Sequence, residues 1–224
     1  MSIIEVGGTV IPNWAEERRG MVATQLAGRG ISDRRVLGAL SEIPREEFVP
    51  LDVRIQAYAD APLGIGFGQT ISQPYMTALM AERLCLDGSE TVLEVGAGCG
   101  YAAAVLAMLA ARVVAIELIP ALADLARENL RRTGRGGNVK VIAGDGCLGW
   151  EELAPYGAIS VAAAAPEIPA ALVRQLGDPG RLVMPVGGDG DQELRLVTKL
   201  DGRIDTSVAT YCRFVPLRGG QKRG

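Results

Sequence analysis

After Gly88 the chain alternates apolar runs with amphipathic stretches, and this rhythm constrains the fold more than any other feature. TVLEVGAG leads to YAAAVLAMLA and RVVAIEL to PALADLARENLRR; NVKVIAGDG and YGAISVAAAAP follow, then PAALVRQLG and GRLVMPVGG. Near-continuous apolar strands separated by helices mean a parallel sheet covered on both faces. The expected fold is therefore α/β, doubly wound, around a mostly parallel central sheet. The tail departs from this rhythm. QELRLVTKL and the stretch from Ile204 to Leu217 flank Asp201-Gly202, a strong hairpin signal, so antiparallel strands should finish one edge.

Before Gly88 the pattern is helical. NWAEERRGMVATQLAGR places Trp14, Met21, Val22 and Leu26 among charges, as on an amphipathic helix with a narrow apolar face. Ser32 or Asp33 can cap a second helix running through Leu40, with Pro44 beyond its end. AYADAPLGIGFGQTIS reads as loop and short extended pieces. In QPYMTALMAERLCL, Pro74 falls in the first turn of a helix and Ser72 is placed to be its N-cap. A chain of 224 residues with 48% hydrophobic content can bury one full core. We expect a single domain in three parts: 1–87 an N-terminal helical segment, 88–190 the α/β core, and 191–224 the C-terminal strands and tail.

Composition excludes several chemistries. A net charge of −3 gives no reason to expect nucleic acid or anionic lipid as partner. No apolar run approaches the roughly 20 residues of a membrane span, and the N-terminus does not read as a signal peptide; a cytoplasmic chain is expected. The four cysteines are scattered and expected to be reduced. Histidine is absent, which removes His-based triads, His general bases and the usual zinc sites.

In an open α/β sheet, ligands bind beyond the strands' carboxyl ends where strand order reverses. Here that is the turn Glu94-Val95-Gly96-Ala97-Gly98-Cys99-Gly100. A dinucleotide fingerprint would need a third glycine at Tyr101, and a phosphate-binding loop would need Gly-Lys-Ser/Thr; neither is present. Glu117 closes the next strand 21 residues after Gly96, at the distance of a ribose-binding acid. Asp145, in Gly144-Asp145-Gly146, stands where an acid can bind an adenine amino group. A glycine turn and two acids on successive strand ends form an S-adenosylmethionine constellation, with no pyrophosphate to dock. The same residues also fit ordinary strand-end turns and helix caps. Ser72, in GQTISQP, can bind an acceptor carboxylate at the mouth of such a pocket, or simply cap its helix.

These stretches, taken in order, resemble the protein-L-isoaspartate O-methyltransferase family over nearly the whole chain. The resemblance is carried by MVATQLAGRGISDRRVL, IPREEFVP, AYADAPLGIGFGQTISQPYM, VLEVGAGCGYAAAVLA, VVAIEL, GDG, AAAPEIP, GRLVMPVG and RFVPL. It implies a Rossmann-like class I methyltransferase fold. It also implies S-adenosylmethionine as cofactor, S-adenosylhomocysteine as product, no metal, and isoaspartyl proteins and peptides as substrates. The implied reaction is methylation of the free α-carboxyl of an L-isoaspartyl residue, whose ester then closes to a succinimide. Carried over, Ser72 is the catalytic residue. Gln69, Thr70, Ile71, Thr77, Glu94, Gly96, Ala97, Gly98, Glu117, Leu118, Asp145 and Gly146 bind the cofactor. Ala163, Ala164, Pro166, Arg213, Val215 and Arg218, with Ser72, flank the acceptor. A monomer is expected. Gly157, Ala162, Cys99 and Cys147 depart from the residues common in the family at their positions.

The chemistry agrees with the residue content. A backbone-type carboxyl titrates near ~3.5 and is already an anionic nucleophile at neutral pH. Attack on a sulfonium methyl then needs no proton removal, so a histidine-free site suffices. Other readings stay open at this stage: a dedicated carboxyl methyltransferase for one peptide or small molecule, and a binding module without turnover. A nicotinamide oxidoreductase is disfavoured by Tyr101.

Overall fold

The computed structural model describes residues 3–6, 9–188 and 190–219. Strands β1 (Ile3–Val6) and β2 (Thr9–Pro12) pair antiparallel ahead of α1 (Trp14–Gly20). The helical run forecast for residues 13–29 is present, but only its first part is an α-helix. Met21–Leu26 winds as a π-helix and Ala27–Arg29 as a 3-10 turn, ending at Gly30 with φ +96°. Helix α2 (Arg34–Glu42) is capped by Asp33, whose carboxylate accepts from the N–H groups of Arg35 and Val36. Ser32 is not the cap. Its N–H donates to Glu82 in the next helix at 2.7 Å, which ties the two helices together.

The stretch read as short extended pieces forms a hairpin, β3 (Leu63–Gly66) and β4 (Gln69–Ile71). It turns through Phe67 and Gly68, both at positive φ. Helix α3 (Pro74–Arg83) follows, and here one expectation is corrected: Gln73, not Ser72, is the N-cap residue. Pro74 supplies the reason. The residue before a proline is held in extended conformation, which is the cap conformation, so Gln73 takes that place and Ser72 is pushed one position out. The Gln73 side chain donates to the Asp60 carbonyl at 3.1 Å instead of capping.

The alternating region folds as the sequence rhythm requires. Strand β5 (Thr91–Val95), helix α4 (Tyr101–Ala107), β6 (Arg112–Glu117), α5 (Pro120–Arg132), β7 (Val139–Ala143), β8 (Tyr156–Val161), α6 (Ala170–Gln175) and β9 (Leu176–Val186) follow in order. Strands β10 (Gln192–Leu200) and β11 (Arg203–Cys212) complete a seven-stranded sheet of order β11-β10-β9-β8-β5-β6-β7. The β5–β6, β6–β7, β5–β8 and β8–β9 pairs are parallel; β9–β10 and β10–β11 are antiparallel. Asp201 and Gly202 make the last hairpin turn with φ of 51° and 74°, the two left-handed residues of a tight hairpin loop. Strand order reverses at β5. The chain builds outward to β7, then returns to lay β8 on the other side of β5.

Side chains alternate between two apolar layers. Val92, Val113, Ala115 and Ala158 join the layer that also holds buried residues of α2, α3 and α4. Leu93, Val95, Val114, Ile116, Ile159 and Val161 pack with Leu172 and Leu176 on the other side. Each fully buried Val, Leu or Ile among them contributes about 1.5–3 kcal/mol. Gly157 acquires a local reason: a Cβ there would come 2.9 Å from Glu90 Cγ. Glu90 is already committed to the N–H groups of Asp87 and Gly88, at 2.8 and 3.0 Å. No helix among the described residues is long and apolar enough to cross a membrane.

Candidate active site

The turn after β5 sits at the strand-order reversal and opens a cleft of about 830 Å³, counting its open mouth. Gly96, Gly98 and Gly100 hold φ of +87°, +54° and +87°, a backbone that other residues adopt only under strain. The N–H groups of Gly96 and Ala97 both donate to the Ile116 carbonyl, which closes the turn against β6. A Cβ on Gly98 would stand 3.1 Å from Ile65 Cδ1, so the turn packs tightly against the β3–β4 hairpin and a side chain there would have to push Ile65 aside.

Two carboxylates face this cleft. Glu117, at the end of β6, accepts from the Gly98 N–H at 2.8 Å and from the Ile119 N–H at 3.0 Å. Those bonds fix its orientation yet use only part of its acceptor capacity. Glu94, near the end of β5, is 1% exposed, and neither of its oxygens has a hydrogen-bond partner among the described residues. Burial first, and then the Glu117 charge, push the Glu94 carboxyl well above its ordinary range.

The remaining walls of the cleft come from segments before and after the α/β core. Gln69, Thr70 and Ile71 line the cleft from β4, Ser72 from the residue just after it and Thr77 from α3. No hydrogen bond to a described residue engages the Ser72 hydroxyl; its carbonyl accepts from Arg45 at 2.8 Å. Opposite, the segment after β11 crosses the mouth. The Ala164 N–H donates to the Val215 carbonyl at 2.9 Å, and the Leu217 N–H returns to the Ala164 carbonyl at 2.7 Å. Val215, Pro216, Leu217 and Arg218 thereby become one wall.

Most of the residues named from the sequence meet here. Gln69, Thr70, Ile71, Ser72, Thr77, Glu94, Gly96, Ala97, Gly98, Glu117, Leu118, Gly146, Ala163, Val215 and Arg218 all line the cleft. Asp145 stands one residue behind the lining. It caps its own turn by accepting from the Cys147 N–H at 2.9 Å, and the tail at Gly219 lies against its carboxylate. Ala164 is buried and holds the tail rather than facing the cleft, and Pro166 is exposed outside it. Arg213 is corrected: its side chain is 75% exposed and pairs with Asp191 at 3.8 Å, away from the lining. Tyr101, Ile116, Ile119 and Ala102 are further lining residues that motif reading did not pick out. Cys99 is buried in the turn, and burial pushes its thiol up to about 11.

Where a dinucleotide-binding protein docks a pyrophosphate on the helix start, this chain has the buried ring of Tyr101, and carboxylates face the cleft instead. That is the arrangement of an S-adenosylmethionine-dependent methyltransferase of the doubly wound α/β class.

Comparison with known proteins narrows the class to a family. The profile described as protein-L-isoaspartate(D-aspartate) O-methyltransferase matches residues 17–222, and the chain belongs to this family. It is 56% identical over 204 residues to protein-L-isoaspartate O-methyltransferase 2 of Marinobacter nauticus, covering 90% of this chain and 93% of the relative. It is 52% identical over 203 residues to the protein-L-isoaspartate O-methyltransferase of Methanoculleus marisnigri, covering 91% and 92%. Among solved structures, a protein-L-isoaspartate O-methyltransferase superposes with a TM-score of 0.80 at 32% identity, over 90% of this chain and 66% of that one. A Plasmodium falciparum protein-L-isoaspartate O-methyltransferase, solved in complex with S-adenosyl-L-homocysteine, gives 0.79 at 28% identity, over 90% and 98%.

Proposed function

We propose that the chain transfers the methyl group of S-adenosylmethionine to the free α-carboxyl of L-isoaspartyl residues in proteins and peptides. The ester then closes to a succinimide, which begins repair. The observation that carries this reading is one continuous cleft joining the Ser72 loop, the glycine turn with its two carboxylates, and the tail wall.

The donor set fits that cofactor. Glu94 brings two unpartnered carboxylate oxygens to a buried place, as an ammonium-bearing ligand requires. Glu117, oriented by two backbone donors, keeps free lone pairs for a pair of vicinal hydroxyls. Glu94, Gly96, Ala97 and Gly98 would hold the methionine end, Glu117 and Leu118 the ribose, and Gly146, backed by Asp145, the adenine. When bound, S-adenosylmethionine supplies a methyl group on a positively charged sulfur.

The chain's own residues then have three tasks. Gln69, Thr70, Ile71 and Thr77 line the cofactor's part of the cleft, and Ser72 orients the acceptor, its hydroxyl donating to the acceptor carboxylate. Ala163, Val215 and Arg218 close the acceptor from the other side. The tail and the hairpin keep water from the reacting atoms. With the cofactor bound, an acceptor carboxylate would meet an electrophilic methyl carbon, and because the carboxylate is already ionised no residue has to remove a proton. Catalysis can therefore rest on alignment and exclusion of water, worth about 7–11 kcal/mol where geometry is good.

We further propose that the chain acts as a monomer in the cytoplasm, on polypeptides rather than nucleic acid or lipid, in keeping with its net charge of −3. Gel filtration at working concentration should return the mass of one chain.

The test of the function uses peptide pairs identical except for L-isoaspartyl or L-aspartyl at one position, with methyl-labelled cofactor. Base-labile methyl ester should form only on the isoaspartyl member, and across several unrelated sequences. Labelling of a single sequence, or of none with cofactor bound, would turn the assignment toward an enzyme dedicated to one acceptor.

A further inference from the structure

Arg45 has no part in the chemistry described above, yet it is the largest fully buried side chain, at 0% exposure. It opens a short 3-10 turn, Arg45–Glu47, after Pro44. Its Nε donates to the Ala57 carbonyl at 2.7 Å and its Nη2 to the Ser72 carbonyl at 2.8 Å. Nη1 has no hydrogen-bond partner among the described residues. The guanidinium carbon lies 4.9 Å from the centre of the Tyr101 ring, within reach of a cation–π contact. A guanidinium stays charged in a protein, and burying one without a counter-charge is costly. An apolar side chain of similar volume would fill the space more cheaply.

What the charge reaches explains its presence. Ser72 lines the cleft and also a smaller cavity behind it, between α3 and α4. Because Gln73 takes the cap position, Ser72 sits at an irregular junction between β4 and α3, outside the regular hydrogen bonding of either. Its carbonyl points inward and is met by Arg45. A planar fork can hold two carbonyls from segments far apart in sequence, here Ala57 and Ser72, in one fixed geometry, which a lysine cannot do. Charge-assisted bonds of this kind are about twice as strong as neutral ones. The same guanidinium rests on Tyr101, the residue after the glycine turn, so it links the acceptor loop to the cofactor side of the cleft.

We propose that Arg45 is a positioning residue for the acceptor: it fixes the Ser72 main chain, and through it the direction of the Ser72 hydroxyl toward the substrate carboxylate. This rests on the isoaspartyl methyltransferase reading above.

The experiment is a double-mutant cycle. Wild type, Ser72→Ala, Arg45→Lys, Arg45→Met and the two double variants are compared on one isoaspartyl peptide, with S-adenosylhomocysteine affinity measured calorimetrically on each. In the wild-type background each Arg45 change should lower kcat/KM for the peptide about 10- to 100-fold and alter S-adenosylhomocysteine affinity less than threefold. In the Ser72→Ala background the further loss should shrink to less than threefold, because the group being positioned is gone. A loss that multiplies in full on Ser72→Ala, or one matched by equal loss of S-adenosylhomocysteine affinity, would make Arg45 merely structural and overturn the proposal. If the Arg45 variants do not fold, nitrogen-15 arginine labelling of the wild type decides. The solvent-protected Arg45 Nε–H resonance should move on adding the isoaspartyl peptide and move far less in Ser72→Ala. A resonance indifferent to the peptide would overturn the role. Failure of the wild type to methylate any isoaspartyl peptide would instead remove the functional reading, and it would show before any variant is made.

Discussion

Glu94 is a carboxyl held where its neutral form is favoured, and that sets a direction for pH dependence. Its folded-state value is raised by burial and by Glu117, whereas in the unfolded chain it titrates near the ordinary ~4.3. A raised acid adds stability that is complete below the unfolded value and is lost as pH climbs toward the folded one. The ligand-free protein should therefore lose stability as pH rises through that window. Binding an ammonium-bearing ligand favours the carboxylate, so binding should expel a proton, and affinity should grow with pH over the same window. Calorimetry of S-adenosylhomocysteine in buffers of different ionisation enthalpy should show proton release within that window, and Glu94→Gln should abolish the part due to this residue. Equal enthalpies in all buffers would mean that Glu94 is already ionised in the free protein. The acid at Glu117 could be found in the sequence because its distance from Gly96 follows from one strand–helix–strand passage. Glu94 was found beside the glycines, but its lack of a partner could not be read, since partners come from the fold.

Among the elements, those with their own period were the legible ones. The strands β5 to β9 announce themselves through their apolar runs, and Asp201-Gly202 declares the β10–β11 turn through its need for positive φ. The misreadings fall where the deciding contact is distant or the competing signal is a neighbour. Pro74 displaced the cap from Ser72, and the tail's path put Val215 and Arg218 at the cleft while leaving Arg213 in solvent. Nothing local in IPREEFVP distinguishes Arg45 from a surface arginine. The tail also has its own prediction. Gly219 holds φ +128°, and a Cβ there would overlap Asp145 Oδ1. Gly219→Ala should lift the tail from the end of β7, weakening S-adenosylhomocysteine binding by on the order of 1 kcal/mol, about fivefold. Because the site of change is exposed, the melting temperature should stay within a few degrees. An affinity equal to that of the wild type would mean that the tail does not wall the cofactor end.

For the whole molecule, we propose that the helical segment, the α/β core and the terminal strands form one cooperative unit. One apolar layer runs from Met21 in the first helical run through Val92 and Val113 in the sheet to Leu194 in β10. Arg35 adds a polar link, donating to the carbonyls of Leu86 and Leu109. Urea unfolding followed by near-ultraviolet and far-ultraviolet circular dichroism should give coincident single transitions; separated midpoints would mean that the segment unfolds on its own. Within that unit lie two buried ionisable groups, the Glu94 carboxyl and the Arg45 guanidinium, neither with an ion-pair partner among the described residues. They make the protein less robust than an apolar interior of the same shape would be. A laboratory lineage selected only for heat resistance should therefore discard these two positions early. Its survivors would be tougher proteins and poorer enzymes, so screening for turnover in every round is the condition for hardening this scaffold without emptying it of chemistry.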